Sequence, residues 1–204
     1  MEDQHERVRR GYDMIAEVYR TSRADELPDS GIVEEFIDTL PDGARVLDAG
    51  CGAGEPVTVT LHERGLDPVG LDISREQVRL ARRTVPTGAV VQGDLTALPF
   101  CAGQFDAAVA FYSIIHVARE YHSTVYRELN RVLIDGGFVL VTVGIEAWEG
   151  SNPDWLDTGA EMLWSFPSLT ESIDLIEKAG FDVVDQSTLD DSLGSEYALV
   201  LART

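Results

Sequence analysis

Cysteine is nearly absent from this 204-residue chain, which carries two, Cys51 and Cys101. Their number and spacing exclude a disulfide scaffold and a zinc site, so two free thiols are expected. Lysine is scarcer still: of 16 basic residues, Lys178 alone is not arginine. Long apolar runs are missing, none approaching the roughly 18 to 20 residues of a membrane span. The stretch Met1 to Arg7 is charged where a signal peptide would be apolar. A cytoplasmic protein without a membrane partner is therefore expected. The chain also lacks any surplus of base, since 36 acids face 16 basic residues and leave a net charge of -20. No basic surface for nucleic acid is visible. The composition resembles that of proteins from salt-in halophiles, whose surroundings at about 1 M salt screen charge over ~3 Å. On that view the acidity reflects the solvent; recruitment of a basic partner is the alternative.

What is present suffices for one substantial core, and a single domain is expected over residues 1–204. Helical spacing of apolar residues marks Gln4 to Arg20 and Gly31 to Leu40 as helices ahead of the sheet. Short runs rich in β-branched residues then alternate with helical patterns, the signature of a mostly parallel sheet covered by helices. The strands are expected at 45–48, 68–72, 89–92, 104–111, 138–144, 181–185 and 197–202. Too few residues join the last two for a crossover helix, so the final strand should run antiparallel. Ser74 with Gln77 predicts a capping box at one helix start, and Thr170 a cap at another. Residues 1–40 form a helical lid in this scheme and 45–144 the ligand-binding core. Residues 145–167, with three tryptophans, form an irregular insertion, and 168–204 a terminal helix and strand pair.

Between the first strand and its helix lie Gly50, Gly52 and Gly54, where glycine allows a tight turn and close approach to a ligand. A dinucleotide fingerprint would need glycine at Glu55, and no Gly-Lys-Ser or Gly-Lys-Thr follows for a P-loop. Asp48 ends the strand before this turn, which suits a cationic group. Asp72 ends the second strand, placed to accept hydrogen bonds from ribose hydroxyls, and Gly93-Asp94-Leu95 follows the third.

Val46-Leu-Asp-Ala-Gly-Cys-Gly-Ala-Gly54 resembles the first motif of the class I S-adenosylmethionine-dependent methyltransferases, and the likeness extends from about Tyr12 to Phe138. It implies a Rossmann-like α/β fold, a three-layer αβα sandwich around a seven-stranded mostly parallel sheet with the last strand antiparallel. It implies S-adenosylmethionine as methyl donor, held by Asp48, Gly50, Cys51, Gly52, Gly54 and Asp72. Ile73 and Leu95 would face the adenine, with Gln77, Gly93 and Asp94 nearby, and Phe111 and Ile114 would pack on the cofactor. Tyr12 and Tyr19 of the first helix would close over it. Arg20 is a further candidate for the cofactor carboxylate. His116 is the candidate general base, with a structural role as its alternative. His5, His62 and His122 are assigned to helical surfaces without a role. No metal is implied. A small-molecule acceptor and a monomer or homodimer are expected; nucleic-acid or protein methylation, or cofactor binding without catalysis, are the alternatives.

Overall fold

The computed structural model of the chain describes residues 3–23, 30–86, 88–190 and 196–204. Strand β1 (Arg45–Ala49) alternates its side chains, Val46 toward one helical layer and Leu47 with Ala49 toward the other. It pairs in parallel with β2 (Asp67–Asp72) and with β4 (Phe105–Ala110), while β3 (Ala89–Gln92) extends the sheet beyond β2. Beyond β4 come β5 (Leu133–Gly144), β9 (Glu196–Arg203) and β8 (Asp182–Asp190), giving the order β3-β2-β1-β4-β5-β9-β8. β9 runs antiparallel to both neighbours and is the one reversed strand of this sheet. The expected seven-stranded sheet with an antiparallel final strand is thus the observed one.

Helices α2 (Ser30–Asp38) and α3 (Val57–Glu63) cover one face, where Val33, Phe36, Ile37 and Leu61 meet Val46, Ala107 and Val109. α4 (Arg75–Thr84) packs on the same face through Val78 and Ala81 against Cys51 and Val90. α5 (His122–Val132) and α6 (Leu169–Lys178) cover the other, with Tyr126, Leu129 and Ile176 in its core. α2 therefore belongs to the sandwich, and of the stretch 1–40 expected as a lid α1 (Gln4–Arg23) packs outside these two layers.

The stretch 145–167 is not irregular. β6 (Trp148–Trp155) and β7 (Ala160–Phe166) form an antiparallel hairpin, a separate two-stranded sheet. β6 is exposed along nearly its whole length, so no buried alternation marks it, and Pro153 lies within the register break between Asn152 and Trp155. The stripe of α1 packs on this hairpin: Val8, Ile15, Trp155, Ala160, Met162 and Leu163 form one cluster. Gly11 permits that contact, since a Cβ there would sit 2.5 Å from the carbonyl oxygen of Glu161. Arg7 clamps the same junction, donating to Glu161 at 2.6 and 3.1 Å. On its other side α1 meets α4, where Ala16 packs with Ala53 and Leu80. Helix and hairpin together roof the carboxyl ends of β1, β2 and β4, beside the point where the strand order reverses between β1 and β4.

Smaller departures have local causes. β5 begins at Leu133, ahead of the expected Phe138, because the Asp135-Gly136-Gly137 turn is taken up as an irregularity in the β4–β5 ladder. Ser168, not Thr170, caps α6, in a reciprocal capping box with Glu171. Ser74 caps α4, accepting from the Gln77 backbone, but the Gln77 side chain returns no bond, so the expected capping box is only half formed. Cys51 and Cys101 are free thiols, the first buried and the second exposed. No helix among the described residues is long and apolar enough to cross a membrane, and no group of three or more potential ligands there could hold a metal.

Candidate active site

The turn after β1 is built so that its amides face inward. Gly50, at φ +94°, and Cys51 both donate to the Leu71 carbonyl oxygen, at 2.7 and 2.9 Å. Gly52, at φ +52°, donates to Asp72 Oδ2 at 2.9 Å, and Gly54 to the Cys51 carbonyl. A side chain at Gly50 would strike Ser113 Cβ at 2.2 Å, whereas one at Gly52 would meet only Gln77 Oε1, at an ordinary contact distance. With these four N–H groups spent inside the protein, the loop does not offer a pyrophosphate its donors. It offers acceptors, the carboxylates of Asp48 and Asp72.

Two recesses flank this loop. The first holds about 660 Å³ of empty space and is lined by Gly52, Asp72, Ile73, Asp94 and Leu95, with Phe111 at its inner wall. Asp72 Oδ1 accepts the Ser74 N–H at 2.8 Å. Burial pushes the Asp72 carboxyl up to about 6, against the lowering effect of the Ser74 and Gly52 bonds. Apolar Ile73 and Leu95 share this recess with the carboxylates of Asp72 and Asp94, a lining into which a nucleoside would fit. The second recess, of about 580 Å³, is lined by Asp48, Gly50, Cys51 and Glu55, with Arg20 and Tyr19 above. Asp48 is buried there, accepting from Thr58 Oγ1 at 2.6 Å, and desolvation pushes it up to about 7. A buried acid so raised is a strong partner for an ammonium group. Arg20 meets Glu55 at 3.1 Å across the mouth. The residues fit the methyl donor that the sequence implies.

Four expected contacts stand behind the recess. Gly54 packs on Ala81 and Val85, and Gly93 on Leu71. Ile114 is fully buried in the sheet core. Gln77 is buried under the loop with both amide atoms lacking a hydrogen-bond partner, its Oε1 3.9 Å from where a Gly52 Cβ would lie.

A third recess, of about 1590 Å³, opens beyond the first, and Tyr12, Tyr19, Tyr112 and His116 line both. Its outer walls are the three tryptophans, Trp148, Trp155 and Trp164, with Phe166 and Tyr197. His116 is buried at the boundary. Its Nδ1 lies 2.7 Å from the Leu163 carbonyl oxygen, which can only accept, so Nδ1 carries a proton. Nε2 lies 2.9 Å from the Tyr12 hydroxyl, which donates to it in the neutral tautomer. Tyr12 is itself held edge-on by Tyr19 at 5.2 Å and Trp155 at 5.8 Å.

The structure also brings in residues that sequence patterns did not. His5 is no surface residue: it lines the first recess, with Nδ1 2.8 Å from Asp94 Oδ2 and Nε2 buried without a partner. The Asp94 bond raises the His5 pKa. Burial opposes ionisation of Asp94, but the bonds from His5 and Thr96 outweigh it and hold it at about 2. His122 is also buried, near the Val117 carbonyl at 3.0 Å, and its pKa is lowered chiefly by desolvation. Tyr112, at φ +50° just past β4, lines all three recesses.

A pH dependence follows from the two raised acids. Folded, Asp48 and Asp72 titrate near 7 and 6, against an ordinary 3.8. The folded state therefore binds more protons than the unfolded chain between these values. The stability they contribute is complete below the ordinary value and is lost as pH rises through 6 and 7. Asp48→Asn keeps the acceptor for Thr58 and removes the charge. Calorimetric melting of the ligand-free protein should show this variant gaining stability relative to wild type between about pH 5 and about pH 8. A difference that stays constant across that range would refute the assignment.

Comparison with known proteins agrees with this geometry. A family described as "Methyltransferase domain" matches residues 47–141. An uncharacterized methyltransferase of Synechocystis sp. is 33% identical over 71% of this chain and 70% of its own length. A tRNA (carboxymethyluridine(34)-5-O)-methyltransferase of Arabidopsis thaliana is 33% identical over 67% of this chain, which spans 32% of that enzyme. Among solved structures, the Burkholderia thailandensis 1,6-didemethyltoxoflavin-N1-methyltransferase superposes with TM-score 0.80 at 21% identity, over all of this chain and 91% of its own. That structure contains 1,6-didemethyltoxoflavin and S-adenosylhomocysteine. With an acceptor-lined loop after β1, acids at the ends of β1 and β2 and just beyond β3, and these relatives, the chain belongs to the S-adenosylmethionine-dependent methyltransferases.

Proposed function

We propose that the protein methylates a small molecule bound in the tryptophan-walled recess, with S-adenosylmethionine in the two recesses around the glycine loop. The observation that carries this is the shared wall of Tyr12, Tyr19, Tyr112 and His116, which sets an aromatic-walled recess against the cofactor site. A phosphate backbone is a poor occupant, because among the described residues the charged side chains lining that space are Glu146 and Glu196, and the chain carries a net charge of -20.

The bound cofactor supplies a methyl group on a sulfonium, open to in-line displacement. The protein's part is placement and proton removal. Asp72 holds the ribose hydroxyls, Asp48 the ammonium, and Ile73 with Leu95 the adenine faces. Leu163 on the hairpin fixes His116 in the tautomer that leaves Nε2 as acceptor. The acceptor's proton passes to the Tyr12 oxygen as the Tyr12 hydroxyl proton passes to Nε2.

The test is incubation with methyl-labelled S-adenosylmethionine and, in parallel, low-mass metabolite fractions and total tRNA. Label in the low-mass fraction with release of S-adenosylhomocysteine is the expected outcome. Label confined to tRNA would overturn the small-molecule reading.

A further inference from the structure

The geometry points to a cationic amine as the methyl acceptor, held among the aromatic rings of the third recess and methylated on nitrogen. This rests on the small-molecule reading above and narrows it.

The rings form a continuous wall. Trp155, Trp164 and Trp148 follow one another with centroids 5.5 and 5.9 Å apart, and Phe166, Tyr197 and Tyr112 continue it at 6.1, 6.2 and 5.3 Å. The tryptophans meet at 89° and 59°, so they stand around the space and do not stack into a closed pile. Aromatic faces carry the negative end of the ring quadrupole and attract a cation that enters between them.

The charged side chains agree with the rings. Among the described residues, Glu146 and Glu196 line this recess and no arginine or lysine does. Topology brings the two acids to one edge: the β5–β9 ladder ends at Gly144 paired with Tyr197, and each glutamate lies just past that end. A carboxylate or phosphate acceptor would face two like charges with no basic counter-ion among the described residues. A cation would find two acids, a ring wall and the field of a chain with net charge -20.

The chemistry balances through the residues already placed. The ammonium gives one proton to the Tyr12 oxygen as Tyr12 gives its own to His116 Nε2. The freed nitrogen lone pair forms the new N–C bond. The C–S bond breaks with its electron pair going to sulfur, which becomes a neutral thioether. The nitrogen is again cationic, one methyl heavier, and the His116 proton leaves to solvent. Primary, secondary and tertiary amines all satisfy this scheme; a quaternary ammonium binds without reacting.

That last point supplies a test that needs no turnover. The chain has three tryptophans, and all of them line the recess, so intrinsic emission reports occupancy directly. Choline and 3,3-dimethylbutanol share a shape and differ in charge. With S-adenosylhomocysteine bound, choline should bind tighter by about tenfold or more, and the E146Q/E196Q double variant should lose most of that preference while S-adenosylhomocysteine affinity holds by calorimetry. Labelled methyl transfer should favour amines over phenols and carboxylic acids. Equal binding of the matched pair, or transfer to phenols and not to amines, would overturn the inference and leave the small-molecule reading standing. Transfer to tRNA alone would overturn both.

Discussion

In Asp72→Ala, affinity for S-adenosylmethionine is expected to fall by about a hundredfold, with the protein still folded. Each Asp72 oxygen already accepts one backbone N–H, from Gly52 at 2.9 Å and Ser74 at 2.8 Å. Asp72 also lines the first recess, where under the proposed function its remaining lone pairs would accept from two ribose hydroxyls. Two charge-assisted hydrogen bonds at about 1.5 kcal/mol each account for the hundredfold. The alanine variant also frees the Gly52 N–H, so the loop loses a tether as well as the ligand an acceptor. Asp72→Asn separates these effects: it keeps one acceptor, replaces the other by a donor, and should lose about tenfold. Titration calorimetry decides the matter. Unchanged affinity in a folded Asp72→Ala protein would remove Asp72 from the site.

The strong signals in the sequence were those whose geometry is local. A strand followed by Gly50, Gly52 and Gly54, with acids at the ends of β1 and β2, specifies a turn and the groups around it within a few residues. Asp48, Asp72, Ile73 and Leu95 accordingly line the recesses. What escaped depends on partners distant in the chain. His5 looks like a surface residue on an amphipathic helix, and only the docking of α1 across the sheet brings it to Asp94. The hairpin strand β6 carries Gly150, Asn152 and Pro153, all turn-forming residues, and its side chains are mostly exposed. Period-two alternation needs one buried face, and a two-stranded roof covered by a single helix supplies it mainly to β7. Tyr112 carried no signal because it lies just past β4 at φ +50°, outside the extended backbone whose side-chain pattern a sequence shows. Ile114 lies in the core cluster and Tyr112 in the recesses.

His116→Ala and Tyr12→Phe are each expected to lower kcat by about two orders of magnitude, and the double variant by little more than either alone. The two side chains act as one relay, since Tyr12 touches Nε2 at 2.9 Å while Leu163 commits Nδ1 at 2.7 Å. Breaking either end breaks the path for the acceptor's proton, and breaking the second end removes nothing further. Tyr12→Phe is the sharper probe, because it keeps the ring packed on Tyr19 and Trp155 and deletes only the hydroxyl. A role in packing alone would leave its kcat and pH profile at wild-type values. A role in holding the acceptor would raise KM with kcat unchanged. The relay instead predicts an acid limb in the wild-type pH profile of kcat that both variants lose, with cofactor affinity by calorimetry nearly unchanged in Tyr12→Phe. Additive losses in the double variant would show that the two residues act separately and would end the relay assignment.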